Sequence, residues 1–388
     1  VLASRKLREQ IGIFDGETVT IQPQRGEIYD RYGNLLAGNK TVYEVGAELR
    51  NVKNPDTIAM TLSFVLGVDY NDIFARASQA AAPDAVYSVL ARNATQDQVD
   101  QLKELAEKMD EQYAASSDPL RPSLAGLVYE PKLARSYPES AIGSNILGFV
   151  NMEGRGFFGV EEKFNTLLAG KPVTVFVPSD PNRVEELPSV PPGASLVLTI
   201  DREVQADMES LLDQAIKTHG AESGTIVIQN PRNGEIIAMA TTPRMDLNNY
   251  LQYLGQYTND IPFNRAVSQA YEPGSVYKVL TLAAALDSGA IQRDSTFLDT
   301  GVFEIGGIYI YNWNGGAWGP QDMTGCMQHS LNVCLAWMAS QTGAKNFYSY
   351  MQAFGIGHLT GVDMAGGPGR GPGRRSRLHL ARGPPPLP

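Results

Sequence analysis

A chain of 388 residues with 19% charged and 43% hydrophobic residues has room for two domains with cores of their own; it is neither a disordered chain nor a small scaffold in need of staples. Of its 32 basic residues, five arginines fall in the last 23 positions, so residues 1–365 carry 27 bases against 42 acids, a net charge of −15. So acidic a surface repels phosphate backbones and argues against nucleic acid as a partner.

Residues 1–20 mix polar and apolar side chains with no strong period, and a first body is expected from Ile21 to Pro188. Within it Val42–Leu49 reads as a strand and Asp56–Leu66 as a helix. Val99, Leu102 and Leu105 recur at helical spacing over Asp97–Met109, with Thr95 and Gln98 placed to form a capping box. The polar, proline-containing stretch Pro178–Pro192 reads as a linker.

A second body is expected over residues 189–365. Leu196–Ile200 predicts a strand and Asp201 a helix cap, while Val204, Met208, Leu211, Leu212, Ala215 and Ile216 form one apolar helix face ending at Gly220. Thr225–Ile228 and Glu235–Met239, joined by Asn230-Pro231-Arg232-Asn233-Gly234, predict a hairpin. From Gly366 to Pro388, 12 of 23 residues are Gly or Pro, so this tail cannot bury enough apolar surface to offset its ordering entropy. No apolar run reaches the ~18 residues of a membrane span.

Cys326 and Cys334 are the only cysteines, in a segment that reads largely as helix. At about 1.5 Å rise per residue they stand on the order of 12 Å apart, too far for a disulfide, which predicts two buried thiols. With only four histidines and no paired Cys/His spacing, no metal site is predicted, and no other cofactor is implied.

The informative segment is Tyr271-Glu272-Pro273-Gly274-Ser275-Val276-Tyr277-Lys278. Pro273 and Gly274 break the chain, and the apolar side chains from Val276 to Leu286 predict a helix buried nearly all round. Ser275 then stands at the N-terminus with Lys278 three residues on, sharing its face. Backbone N–H groups and the positive helix end favour an alkoxide or oxyanion there. The helix dipole and desolvation both oppose a charged Lys278 and drive it toward the neutral amine, a general base for a neighbouring hydroxyl. The competing reading makes Ser275 an N-cap and lets Lys278 extend to solvent.

Ser330 and Asn332, in His329-Ser330-Leu331-Asn332, are alternate residues of a predicted loop and can point to one side. Ser330 can relay a proton between Lys278 and a departing amine, and Asn332 can hold a substrate amide. Alternatively, one of them caps the following helix. His329 reads as a local hydrogen-bonding residue.

Ser-x-x-Lys followed by Ser-x-Asn resembles the motif set of penicillin-binding proteins and class A β-lactamases, whose third member is Lys-Ser/Thr-Gly. The flanks are similar to those of the penicillin-binding transpeptidases: Asn264-Arg265-Ala266 ahead of Glu272, Pro192-Gly193 with Leu198-Thr199-Ile200-Asp201 and Gln205, then Asn233-Gly234-Glu235-Ile236-Ile237-Ala238-Met239. Upstream, Arg25 to Ala37 (Arg-Gly-Glu-Ile-Tyr-Asp-Arg-Tyr-Gly-Asn-Leu-Leu-Ala) resembles the opening of the class B pedestal domain. Arg135-Ser136-Tyr137-Pro138 and Gly159-Val160-Glu161 are similar to its later signatures. Arg25, Asp30, Arg31, Arg135 and Glu161 are expected to form one structural network there.

This resemblance to class B penicillin-binding proteins covers residues 20–365 and leaves no room for the glycosyltransferase domain of class A. It implies an α+β fold: an N-terminal segment 1–20, a pedestal (dimerisation-type) domain 21–188, a transpeptidase domain 189–365 with a mostly antiparallel sheet covered by helices, and the tail 366–388. The implied activity is that of a peptidoglycan D,D-transpeptidase forming an acyl-enzyme on Ser275, with Lys278, Ser330 and Asn332 completing the catalytic set. D-Ala-D-Ala stem peptides and β-lactams are the implied ligands, and a membrane glycan polymerase and elongation or division proteins the implied partners. The implied place is the extracytoplasmic face of the cell membrane, with an anchor expected upstream of Val1.

No Lys-Ser/Thr-Gly triplet follows Asn332, and Lys217-Thr218-His219-Gly220 lies ahead of Ser275. The transpeptidase domain is therefore expected to be incomplete, truncated or frameshifted near residue 365, and the chain impaired. The alternatives are a non-catalytic wall-synthesis scaffold and a β-lactam sensor or serine β-lactamase, although the last two do not need the Arg25–Ala37 signature.

Overall fold

The computed structural model describes residues 16–79, 86–116, 118, 121–178, 190–258 and 261–365. Residues 179–189 of the expected linker and the tail from Gly366 lie outside the described residues. Two compact units divide the chain, one reaching Ser268 and taking in Met364 and Ala365, the other comprising Gln269–Asp363. Among the described residues no helix is long and apolar enough to cross a membrane.

The first unit is built on the strand Leu35–Glu48, which pairs antiparallel with Leu127–Ser136 on one side and Tyr87–Ala94 on the other. Ile28–Tyr29 continues the sheet and takes Leu196–Val197 as a parallel neighbour, so residues on both sides of the expected linker enter one sheet. They also share a core: Ile28, Leu36, Leu147, Phe149 and Leu168 pack with Met239, Met245 and Phe263. That shared core is why the compact boundary follows Ser268. A second core sets Ile58, Leu62, Ile73, Val99 and Leu102 from three helices against Val45 and Leu90. Residues 1–15 of the segment read as lacking a period lie outside the described residues, and its last five enter the strand Gly16–Ile21, antiparallel to Val173–Pro178; six residues are too few for alternation to stand out.

Local chemistry explains the helix boundaries. Thr95 and Gln98 form the capping box that opens the helix Gln96–Gln112, with Gln98 N–H donating to Thr95 Oγ1 at 3.3 Å and Thr95 N–H to Gln98 Oε1 at 2.9 Å. Asp201 accepts from the Glu203 and Val204 N–H groups at the start of Arg202–His219, which ends on Gly220 at φ 62°.

The buried face of that helix differs from the apolar one expected. Gln205, Glu209 and Leu212 are buried, whereas Leu211 is 51% exposed. Gln205 accounts for the difference, because its side-chain amide pairs like a peptide with the strand Ile236–Thr241: Met239 N–H donates to Oε1 at 2.7 Å, and Nε2 donates to Met239 O at 3.0 Å. Glu209 in turn accepts from Gln205 Nε2, from Gly143 N–H and from Arg244. Burial is the main force raising its pKa, against the lowering pull of these donors.

Glu161, fully buried, receives Arg25 Nε on one carboxylate oxygen at 2.8 Å and Arg135 Nε on the other at 2.7 Å. Asp30 and Arg31, expected in this network, take other partners. Asp30 closes its own turn by accepting from Tyr32 and Asn34 N–H and Asn34 Nδ2, and Arg31 pairs with Glu235 at 3.6 Å on the surface. A short polar side chain in a turn finds nearby backbone donors first.

In the second unit the strands Thr296–Asp299 and Gly319–Asp322 form one antiparallel pair and Val302–Ile305 with Ile308–Tyr311 another. The fold is thus α+β, and among the described residues the strands pair antiparallel except for Ile28–Tyr29 with Leu196–Val197. Helices Lys278–Asp287, Met323–Gln328, Asn332–Thr342 and Ala344–Ala353 complete the unit around Ala285, Ile291, Met323, Leu331, Leu335 and Met338.

Cys326 and Cys334 lie in this core as a disulfide, not as two free thiols, with Cα atoms 5.9 Å apart. The expected separation assumed a continuous helix. In fact one helix ends at Gln328, Ser330 turns at φ 52°, and the next begins at Asn332, so Leu331 N–H folds back onto Cys326 O at 2.9 Å.

Candidate active site

Gly274 adopts φ 62°, a conformation costly for any residue with a Cβ, and starts the single 3-10 turn Gly274–Tyr277 ahead of the helix Lys278–Asp287. This turn presents Ser275 at the surface. The helix was expected to be buried all round, but only Thr281, Ala284 and Ala285 are buried, and Val276 and Val279 are 70% and 59% exposed. Ala285 packs in the core with Leu335 and Met338 of the helix Asn332–Thr342, while Val279 and Leu286 stay exposed.

Ser275 caps neither the turn nor the helix, since neither start has a side-chain cap. Lys278 does not extend to solvent either. Its Nζ donates to Ser330 O at 2.7 Å, Ser330 Oγ at 3.0 Å and Asn332 Oδ1 at 2.6 Å. Desolvation is the cause that lowers its pKa below the ordinary lysine value. Ser275 was expected within direct reach of this amine, but its hydroxyl meets Ser330 Oγ at 3.0 Å, which puts Ser330 between base and nucleophile.

All four candidate residues are therefore brought together. Neither Ser330 nor Asn332 caps the following helix, whose N-cap is Leu331 and which has no side-chain cap bond. Ser330 holds φ 52°, a left-handed conformation that costs on the order of 1–3 kcal/mol in a non-glycine residue and turns its hydroxyl and carbonyl toward Lys278. His329 stacks on Trp318 with ring centroids 4.2 Å apart, a packing role in place of the hydrogen-bonding one expected.

Two partners were missed in the sequence: Tyr311, whose carbonyl accepts from Asn332 Nδ2 at 2.9 Å, and Asn312, whose Oδ1 accepts from Val333 N–H at 3.3 Å. The turn-like Asn312-Trp313-Asn314-Gly315 was the available signal, but a turn says nothing of what its side chains reach.

The arrangement is a continuous hydrogen-bonded path from a desolvated amine through one hydroxyl to an exposed second hydroxyl, able to remove a proton from Ser275 and return it. Comparison with known proteins identifies the two domains. Residues 20–186 match the penicillin-binding protein dimerisation domain, and residues 224–370 the penicillin-binding protein transpeptidase domain. The chain belongs to the class B penicillin-binding proteins. Among curated relatives, stage V sporulation protein D of Bacillus subtilis is 29% identical over 355 residues, 89% of this chain and 51% of the relative. The peptidoglycan D,D-transpeptidase FtsI of Escherichia coli K12 is 27% identical over 355 residues, 89% of this chain and 56% of the relative. The chain thus spans about half the length of the curated relatives it matches. A crystal structure of penicillin-binding protein 2X from Streptococcus thermophilus aligns with TM-score 0.64 at 22% identity, over 88% of this chain and 52% of that one, a likeness of fold.

Proposed function

We propose that this chain is the pedestal and nucleophile-bearing part of a peptidoglycan D,D-transpeptidase, with a pedestal over 21–188 and a transpeptidase domain over 189–365. The observation that carries the reading is the path Lys278 Nζ, Ser330 Oγ, Ser275 Oγ, with both links at 3.0 Å. As a neutral amine Lys278 keeps two N–H bonds, to Ser330 O and Asn332 Oδ1, and offers its lone pair to the Ser330 hydroxyl. Ser275 Oγ attacks the carbonyl carbon of the penultimate D-Ala, its proton passes to Ser330, and Ser330 gives its own to Lys278. The tetrahedral intermediate then expels the terminal D-Ala, whose nitrogen takes the proton back along the same path. What remains is an ester on Ser275, open to an amine from a neighbouring stem peptide.

β-Lactams would form the same ester. A glycan polymerase of the membrane and elongation or division proteins are the proposed partners, and the extracytoplasmic face of the cell membrane the proposed place. The Cys326–Cys334 disulfide fits such an oxidising compartment. We also propose that these 388 residues acylate slowly, since no Lys-Ser/Thr-Gly triplet follows Asn332 to supply a second oxyanion donor.

The test is labelling with a fluorescent penicillin followed by peptide mapping. Label on the Ser275 peptide, lost in Ser275→Ala, supports the reading. Absence of label at saturating penicillin favours a non-catalytic scaffold, and rapid release of penicilloate a β-lactamase.

A further inference from the structure

The helix Asn332–Thr342 begins at the candidate site without a cap from its own N-cap residue. Its first turn is instead gripped by residues some twenty positions earlier in the chain. Asn312 Oδ1 accepts from Val333 N–H at 3.3 Å, and the neighbouring Tyr311 carbonyl accepts from Asn332 Nδ2 at 2.9 Å. Asn312 is itself 4% exposed and fixed from behind, where Nδ2 donates to Asp299 Oδ2 at 2.7 Å and to Gly316 O at 3.0 Å. Asp299, 1% exposed, takes further N–H donors from Gly301 at 2.9 Å and Trp318 at 3.1 Å.

The amide chemistry gives these contacts a direction. With both Asn312 Nδ2 protons committed to acceptors, its oxygen can point only at the Val333 N–H. With Asn332 Nδ2 on the Tyr311 carbonyl, its Oδ1 is the atom left to face Lys278 Nζ, where it accepts at 2.6 Å. A flipped Asn332 would set an N–H₂ against the lysine amine and lose that bond.

We propose that Asp299 and Asn312 are positioning residues for the acyl transfer: together they fix the rotamer and amide orientation of Asn332 and, through it, the place of the Lys278 amine. The inference rests on the transpeptidase reading above, and it adds that a buried pair outside all recognised motifs sets the geometry of the second one. An ordinary capping role would stabilise the helix and leave the chemistry alone. A positioning role acts through Asn332 and disappears when Asn332 is gone.

That difference defines the experiment, a double-mutant cycle on the rate of acylation by a fluorescent penicillin, with the thermal midpoint followed in parallel on the same full chain. Ser275→Ala is the control: label that survives it overturns the transpeptidase reading itself. With that reading intact, Asn312→Ala lowers the acylation rate on the order of 10- to 100-fold, the scale of a small misplacement of reacting groups. In the Asn332→Ala background the same substitution has little further effect. The variant Asn312→Asp, which keeps an acceptor for Val333 N–H but sets two carboxylates face to face, is also slow. Adding Asp299→Asn to it restores a donor between the two positions and recovers part of the rate, a rescue that also serves if Asn312→Ala does not fold. Parent-like acylation by Asn312→Ala, equal losses in the presence and absence of Asn332, or no recovery in the exchanged pair would each overturn the proposal.

Discussion

Cys326 and Cys334 are joined in a disulfide whose loop encloses Ser330 and Asn332, so the polar residues that meet Lys278 ride on a small covalent ring. Closing a loop of separation 8 removes unfolded-chain entropy worth roughly 2–3 kcal/mol. Both cysteines are fully buried, and Leu331 between them anchors the same core. We predict that Cys326→Ser with Cys334→Ser lowers the thermal midpoint and also slows penicillin acylation, because the left-handed turn at Ser330 loses its constraint. Fluorescence-monitored melting beside gel-based labelling reads both effects; unchanged labelling would confine the bridge to stability.

The pH dependence of acylation should report Lys278. Its pKa is lowered by desolvation, and only the neutral amine can accept a proton, so the acidic limb lies below the pH at which an unshifted lysine would titrate. The stability term has the matching sign. Between the lowered folded value and the ordinary unfolded one the unfolded state binds more protons, so Lys278 disfavours folding below that window, and the penalty fades as pH rises through it. Lys278→Arg keeps the charge but cannot give it up, so labelling is expected to fall on the order of 10²–10⁴-fold on the plateau above the acidic limb, with the gap to the parent narrowing as pH falls through that limb. An acylation limb that persists in Lys278→Arg would assign the titration to another group.

How far the sequence carried depends on the range of the interactions concerned. Thr95, Gln98, Asp201 and Gly220 act within one helical turn, so spacing alone located them. The meeting of Ser275, Lys278, Ser330 and Asn332 was foreseeable because Ser-x-x-Lys and Ser-x-Asn are known to act together. The order of the relay was not, since three-residue spacing puts Lys278 on the face of Ser275 without saying that Ser330 comes between them. Gln205 and the cysteines show the same limit from the other side. A polar residue on the buried face and a helix break at Ser330 depend on a strand partner 34 residues away and on tertiary packing, to which apolar periodicity is blind.

In the first unit, Glu161 should be the most sensitive charged position. Arg25 and Arg135 both converge on it, and it is fully buried. Removing one partner of a buried ion pair costs about 3–5 kcal/mol, because the remaining charges stay desolvated. We predict a loss of that order for Glu161→Ala in urea unfolding. Arg31→Ala removes a surface pair and should cost less than about 1 kcal/mol. Similar costs for the two variants would mean that Glu161 is solvated in solution.

The register of the helix Arg202–His219 gives a last contrast, between a polar and an apolar side chain on adjacent faces. Gln205 is 1% exposed and satisfies both the N–H and the carbonyl of Met239. Gln205→Ala deprives two buried backbone groups of partners, at about 1–3 kcal/mol each, and also removes a donor from Glu209. Glu209, already pushed up by burial, should then titrate at still higher pH, and its charged form should weigh further against folding near neutrality. Leu211, 51% exposed, makes no such contribution, so Leu211→Ala should stay within about 1 kcal/mol of the parent. Hydropathy ranks the two substitutions in the opposite order, with loss of the leucine the more damaging. Chemical denaturation of both variants decides between the rankings: a larger loss for Leu211→Ala would restore the apolar face and reject the peptide-like pairing of Gln205 with Met239.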